Sequence, residues 1–215
     1  MRTFSALSLM LLAAPLQAHP HIFINTGLLF LVDAQNRLTH VQVTWEYDEL
    51  YSLLVTEDMG VDSDYDGQST PEDVAKLTGF DAQWIEGYNG DLVATMGGVP
   101  LGLSGPTVPT AQLTDGKITT THMRAVEGAP EISGPLSFKP YDGTYYTAYD
   151  VTLPVEVQGR SGCDVVLNVP DLNGALAMTK AELAAIPEDM DMEAAGLGDI
   201  GARFATEVKV TCSAL

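Results

Sequence analysis

Hydrophobic positions follow three different patterns along this chain. From His21 to Val32 they are dense, with Ile22, Phe23, Ile24 and Leu28 through Leu31, as in a strand buried in a sheet. Asp33 to Arg37 is a turn. Leu38 to Trp45 then alternates, with Leu38, His40, Gln42 and Thr44 on one face and Val41, Val43 and Trp45 on the other. That period of two predicts a hairpin with one face in a core. From Glu46 to Met59 the period becomes helical, and Tyr47, Leu50, Tyr51, Leu54 and Val55 form a stripe expected to face inward. A second short helix is expected after Thr70-Pro71 and ends at Gly79, so residues 46–79 form a helical insertion.

Beyond Asn89-Gly90-Asp91 the pattern returns to strands. Leu92 to Val169 holds short runs (Ile118 to Ala125, Ile132 to Phe138, Thr147 to Leu153 and Asp164 to Val169 among them), punctuated by Gly, Pro and Asp turns. This spacing predicts a β-sandwich. Pro170 to Ile186 reads as a helix with Leu176, Lys180, Leu183 and Ala184 on its stripe. Pro187 to Asp199 reads as an acidic loop, and Ile200 to Cys212 as a final strand. The predicted fold is α+β: a mainly antiparallel β-sandwich, a helix–loop–helix insertion and a C-terminal helix.

The first residues change the picture of where this fold resides. Met1-Arg2-Thr3, an apolar run from Phe4 to Leu12 and small residues up to Ala18 read as a secretory signal, residues 1–18. Cleavage after Ala18 predicts a periplasmic product, residues 19–215, as a single domain. No later run is apolar enough for a membrane helix, so no membrane insertion is expected. Charge narrows the partners. The chain has 10 Lys and Arg against 29 Asp and Glu, a formal net charge of −19. Nucleic acid and anionic membrane surfaces would be repelled, and cations attracted. Cys163 and Cys212 are the two cysteines, and in an oxidising compartment they are expected to form a disulfide.

Two stretches have the residue types for metal binding. Cleavage after Ala18 would make His19 the N-terminus, so its amine and imidazole could chelate one ion. His21 lies two residues on, with Pro20 stiffening the pair and removing the intervening amide proton. Asp48, at the strand–helix junction, or Asp142, in the tyrosine-rich turn Tyr141 to Tyr149, could complete a four-coordinate site. Asp48 could equally cap the helix, and the tyrosines could orient ligands from behind. Two imidazoles with oxygen suit zinc first, and also nickel, cobalt or copper. The second stretch is Asp62 to Asp73. Asp62, Asp64 and Asp66 occupy positions 1, 3 and 5 of an EF-hand-like loop, Gly67 position 6, Gln68 the carbonyl position and Asp73 position 12. Calcium is the expected ion. Asp73 is shorter than the usual Glu, Ser69 replaces an aliphatic residue, and no second loop exists to pair with. Thr70, Pro71 and Asp73 also spell a capped helix start, which is compatible with calcium. His40 reads as an exposed strand residue, and His122 as a lone, more often structural, histidine.

These motifs together resemble one family. The His-Pro-His start, Thr44 to Ser52, the Asp-rich loop with Thr70-Pro71-Glu72, Tyr141 to Tyr149 and Val210-Thr211-Cys212 are similar to an uncharacterised bacterial periplasmic family. It is catalogued as the presumed periplasmic component of an ABC-type transport system associated with nickel and cobalt. The resemblance implies export, metal handling and an inner-membrane transporter as partner. Two other functions compete with that reading. One is a copper-dependent oxidative enzyme using an N-terminal histidine brace, which would need a distant second histidine, His40 or His122. The other is a calcium-stabilised interaction module. Hydrolase motifs are absent.

Overall fold

The alternating text of the sequence builds two sheets. The computed structural model describes residues 20–185 and 199–213. In chain order the elements are β1 (Ile22–Val32), β2 (Leu38–Tyr47), α1 (Glu49–Met59), α2 (Pro71–Leu77), β3 (Leu92–Met96), β4 (Val99–Pro100), β5 (Thr107–Thr114), β6 (Lys117–Ala125), β7 (Leu136–Pro140), β8 (Thr147–Asp150), β9 (Val155–Gln158), β10 (Cys163–Asn168), α3 (Leu172–Ala185), a 3-10 turn (Ile200–Arg203) and β11 (Glu207–Cys212). The fold is α+β and mostly antiparallel.

One sheet runs β5-β6-β2-β1-β8, with β9 also on β1; the other runs β10-β11-β7-β3-β4. The β1–β2 hairpin is closed by Asp33, whose Oδ1 accepts from Gln35 N and Arg37 N, both at 2.9 Å. On the other side of β1, β8 and β9 lie end to end and parallel to it, pairing Ile22–Asn25 and Leu28–Leu31. The chain between them crosses Gly27, where a Cβ would stand 2.9 Å from that of Leu153 and 3.0 Å from the carbonyl of Pro154. Glycine is therefore needed there. The sheets meet through large side chains. Phe30 and Phe138 are fully buried with ring centroids 4.7 Å apart, among Leu28, Val41, Val43, Ile118, Leu136 and Val208. Cys163 and Cys212 face each other across β10 and β11 and are disulfide-bonded.

Several boundaries differ from expectation. β9 is an additional strand. Strand β7 starts only at Leu136, because Gly134-Pro135 interrupts the run from Ile132. The expected final strand opens instead with the 3-10 turn, and pairing resumes at Glu207. The largest difference is in the helices. Along α1 the buried residues are Ser52 and Thr56, whereas Leu50 and Leu54 of the expected inner stripe are exposed. Ser52 Oγ accepts from Ile118 N at 3.0 Å, so the helix lies within hydrogen-bonding distance of β6 and a larger residue would not fit. Likewise α3 buries Ala175 and Thr179 and exposes Leu176. Among the described residues no helix is long and apolar enough to cross a membrane. The Met190–Met192 stretch of the acidic loop lies outside the described residues.

Candidate metal centres

His19 lies outside the described residues, and the surroundings of His21 are described. His21 is exposed just before β1, its N–H donates to Tyr146 O at 2.8 Å, and its ring lies 4.8 Å from that of Tyr146. The two expected carboxylates flank this point. Asp48 stands on the β2 side. Its Oδ1 caps α1 by accepting from Tyr51 N, and its Oδ2 accepts from Phe23 N, both at 2.9 Å. Capping and reaching toward β1 are thus both true of Asp48. Each oxygen has one protein donor and keeps a second lone pair.

Asp142 stands on the β8 side with its acceptor capacity filled. Oδ1 takes Thr144 N at 2.8 Å and Thr144 Oγ1 at 2.9 Å, and Oδ2 takes Tyr146 N at 3.0 Å and Thr147 N at 3.1 Å. It folds the turn that holds Tyr145 at φ 60°. Gly201 packs against the same turn, where a Cβ would run into the carbonyl of Asp142. The structure does not bring His21, Asp48 and Asp142 together as one ligand set: among the described residues the convergent His, Cys, Asp and Glu group is a different one. Of the tyrosines, Tyr146 is the one whose ring packs on His21 among the described residues. Tyr141 reaches Asp199, Tyr145 stacks on Phe204 at 4.0 Å, and Tyr149 donates to Asp91 at 2.8 Å.

That convergent group is Asp62, Asp64 and Asp66, each offering a carboxylate oxygen within 4.8 Å of the others. The loop is internally organised. Asp62 Oδ1 accepts from Asp66 N at 3.0 Å and Gly67 N at 3.2 Å, and Asp66 Oδ1 accepts from Gln68 N at 2.8 Å. Gly67 takes φ 73° and sits so close to Gly116 that a Cβ would lie 2.9 Å from its nitrogen. The missing second loop has a substitute. Ser69 N donates to Leu113 O and Leu113 N to Ser69 Oγ, both at 3.1 Å, so the end of β5 braces the loop. Asp73 is not a member of that convergent group, although its carboxyl lies near the Asp62 backbone. It completes a capping box with Thr70, accepting Thr70 N at 3.0 Å and Thr70 Oγ1 at 2.7 Å, and the Thr70 hydroxyl holds its carboxyl below the usual range. Gln68 offers its carbonyl from an exposed position and its side-chain amide donates to Asp115 at 3.3 Å.

A third polar cluster lies on β6, where the sequence reading singled out His122 alone. Thr120, His122 and Arg124 sit on its buried face with Ile118. The connector after α2 supplies their neighbours. Asp81 accepts from Tyr47 Oη at 2.9 Å and Thr120 Oγ1 at 2.5 Å, and Trp84 and Trp45 pack their rings 5.3 and 4.7 Å from His122. Burial raises the pKa of Asp81 and Asp91, and pushes Tyr47 and Tyr149 well above their ordinary range. Burial, with Arg124 adding to it, lowers His122 to about 4, so the ring is neutral at physiological pH. Arg124 bonds three backbone carbonyls, those of Ser104, Asn89 and Leu103, and lies 4.9 Å over Trp84. The cluster fastens the connector over one end of the sandwich. Three polar residues at alternate positions of one strand were the available signal.

Neither distant histidine can join His21. His40 lies opposite Leu31, at the far end of β1 and on the order of 30 Å away at a strand's rise per residue, and His122 is buried. A search of curated proteins finds no match. Residues 4–212 match a family model described as "protein of unknown function (DUF1007)". With nearly the whole chain matched, sandwich, Asp-rich loop and tyrosine turn included, the chain belongs to that family.

Proposed function

We propose that this chain is an exported divalent-cation-binding protein that assists a metal transport system in the periplasm. Calcium binds the Asp62–Asp66 loop, and a transition metal, zinc first, binds at the N-terminus. The observation that carries the cation reading is the convergence of three carboxylates on a loop braced by β5. Calcium prefers several oxygen ligands in flexible geometry, and the Gln68 carbonyl and water complete such a set. Asp73 helps by fixing the start of α2, as its hydrogen bonds are spent there.

At the N-terminus the His19 amine and ring and the His21 ring supply nitrogens. Asp48 is the carboxylate we assign, because it keeps a lone pair on each oxygen. Asp142 orders the turn that places Tyr146 against His21. Export manufactures this site, since only cleavage after Ala18 frees the amine. Metal affinity falls as pH drops, because amine and imidazole must both be deprotonated to bind.

Native mass spectrometry with elemental analysis tests both ions. Protein beginning at His19 is expected to hold one transition-metal ion, and protein keeping one extra residue before it to lose most of that affinity. Equal loading of the two overturns the terminal-amine site. Separately, calcium at about 100 times its dissociation constant should stabilise the protein by about 2.7 kcal/mol. Asp62→Ala should abolish that gain, and a gain that persists in the variant removes calcium from the loop.

A further inference from the structure

The outward side of α1 has an unusual composition for a protein this acidic. Leu50, Leu53 and Leu54 are 66, 49 and 59% exposed. Beside them runs a groove of about 580 Å³ whose apolar lining is Tyr51, Leu54, Val55, Met59 and Phe80. It is open rather than enclosed, between α1 and the chain that follows α2. An apolar surface of this kind, rimmed by charge, marks an interaction site.

The rim identifies the class of partner. Helix α1 carries Glu49, Glu57 and Asp58 and no basic residue. Glu72, in the first turn of α2, continues the negative charge. The cation lining the groove, Lys76, is already engaged, donating to Gly60 O at 3.0 Å and pairing with Glu72 at 3.6 Å. A second copy would bring the same acidic rim to an acidic rim, and anionic lipid would be repelled too. An open trough does not enclose a small ligand as binding pockets do.

The geometry points to this groove as the docking site for a basic amphipathic helix of a partner protein. Its leucine-type residues fill the trough and its Lys or Arg residues meet Glu49, Glu57, Asp58 and Glu72. This is the helix-in-groove mode, with anchors spaced at three and four residues. It stands whether or not either cation is bound, so its failure leaves the cation reading intact.

Two fluorescent helical peptides with the same leucine face, one rimmed with Lys and one with Glu, test it by anisotropy against the full exported chain. The Lys peptide is expected to bind and the Glu peptide not, with affinity falling as salt rises. The double variant Leu50→Ser, Leu54→Ser keeps every acidic residue and, being changed only at exposed positions, should keep its thermal melt. It is expected to lose about tenfold or more in affinity for the Lys peptide. Equal binding by variant and parent would mean diffuse charge attraction and overturn the site, as would failure of the Lys peptide to bind. Self-association of the parent, abolished in the variant, would overturn the assignment in favour of a second copy.

Discussion

Along β2, Val41, Val43, Trp45 and Tyr47 are buried and the residues between them are half-covered, whereas along α1 Ser52 and Thr56 are buried and three leucines stand in solvent. In the strand the whole apolar stripe is covered, whereas in the helix the stripe is split: Tyr51 and Val55 pack against the core, and Leu50 and Leu54 stand in solvent. The reason is distance. Two packed sheets lie about 10 Å apart, a gap that only large side chains fill. Helix α1 instead meets the start of β6 at hydrogen-bonding range, through Ser52 and Ile118 N. Helix α3 likewise buries small residues, Ala175 and Thr179. An apolar stripe therefore shows where a chain could be covered, and the closeness of the neighbour decides whether it is.

The largest expected effect lies between the sheets. Phe138→Ala removes a ring packed on Phe30 with no solvent on either side. Its expected cost is about 3–5 kcal/mol in urea unfolding, from lost transfer energy plus the cavity. A cost below about 1 kcal/mol would mean that the sheets do not close on each other here, and the contrast with α1 would vanish.

Acid should weaken the end of the sandwich where sheet and connector join. His122 is held neutral down to about 4, against an ordinary value of 6.5. Above pH 6.5 both states are neutral there and the ring does not affect stability. As pH falls from 6.5 toward 4 the unfolded chain takes up a proton that the folded chain refuses, so stability drops, by up to about 3 kcal/mol. Asp81 and Asp91 act in the opposite sense. Their raised values make the folded chain bind protons first, so their contribution grows as pH falls through those values to 3.8. His122→Phe, which keeps an aromatic ring between Trp45 and Trp84, should remove the loss between pH 6.5 and 4 and leave the carboxyl effect. An unchanged pH profile of unfolding free energy in the variant would rule out His122 as its source.

What could be read in advance follows the range of each interaction. The Asp33 turn, the Asp48 cap, the Thr70–Asp73 box and the Asp62–Asp66 loop are local, and all are found where spacing places them. The disulfide between Cys163 and Cys212 was foreshadowed by their being the two cysteines of the chain. The parallel placement of β8 and β9 on β1 was not legible, because partner choice leaves no mark in either strand's period. Asp142 looked like a ligand because its type and turn suit one. Its four turn donors, which commit its oxygens, come from backbone and hydroxyl groups that sequence spacing does not rank. The Asp81–His122 cluster was hidden for a related reason: polar residues on a buried face are tolerated only with partners, and the partners come from the connector.

The smallest pair of effects is the sharpest test of the contrast, because it inverts the usual ranking of residue types. Ser52→Ala deletes one hydroxyl, yet it strands Ile118 N–H and removes a donor to Tyr47 O in a fully buried spot, and should cost about 1–3 kcal/mol. Leu54→Ala deletes three carbons from a residue that is mostly in solvent, and alanine favours a helix at least as well. It should change stability by less than about 0.5 kcal/mol. Parallel urea titrations of the two variants decide the matter. If Leu54→Ala were the costlier change, the outer face of α1 would be covered in the free protein and the trough beside it would be part of the core. If serine is costlier, Leu54 adds little to folding, and its exposure is left to be explained by what it binds.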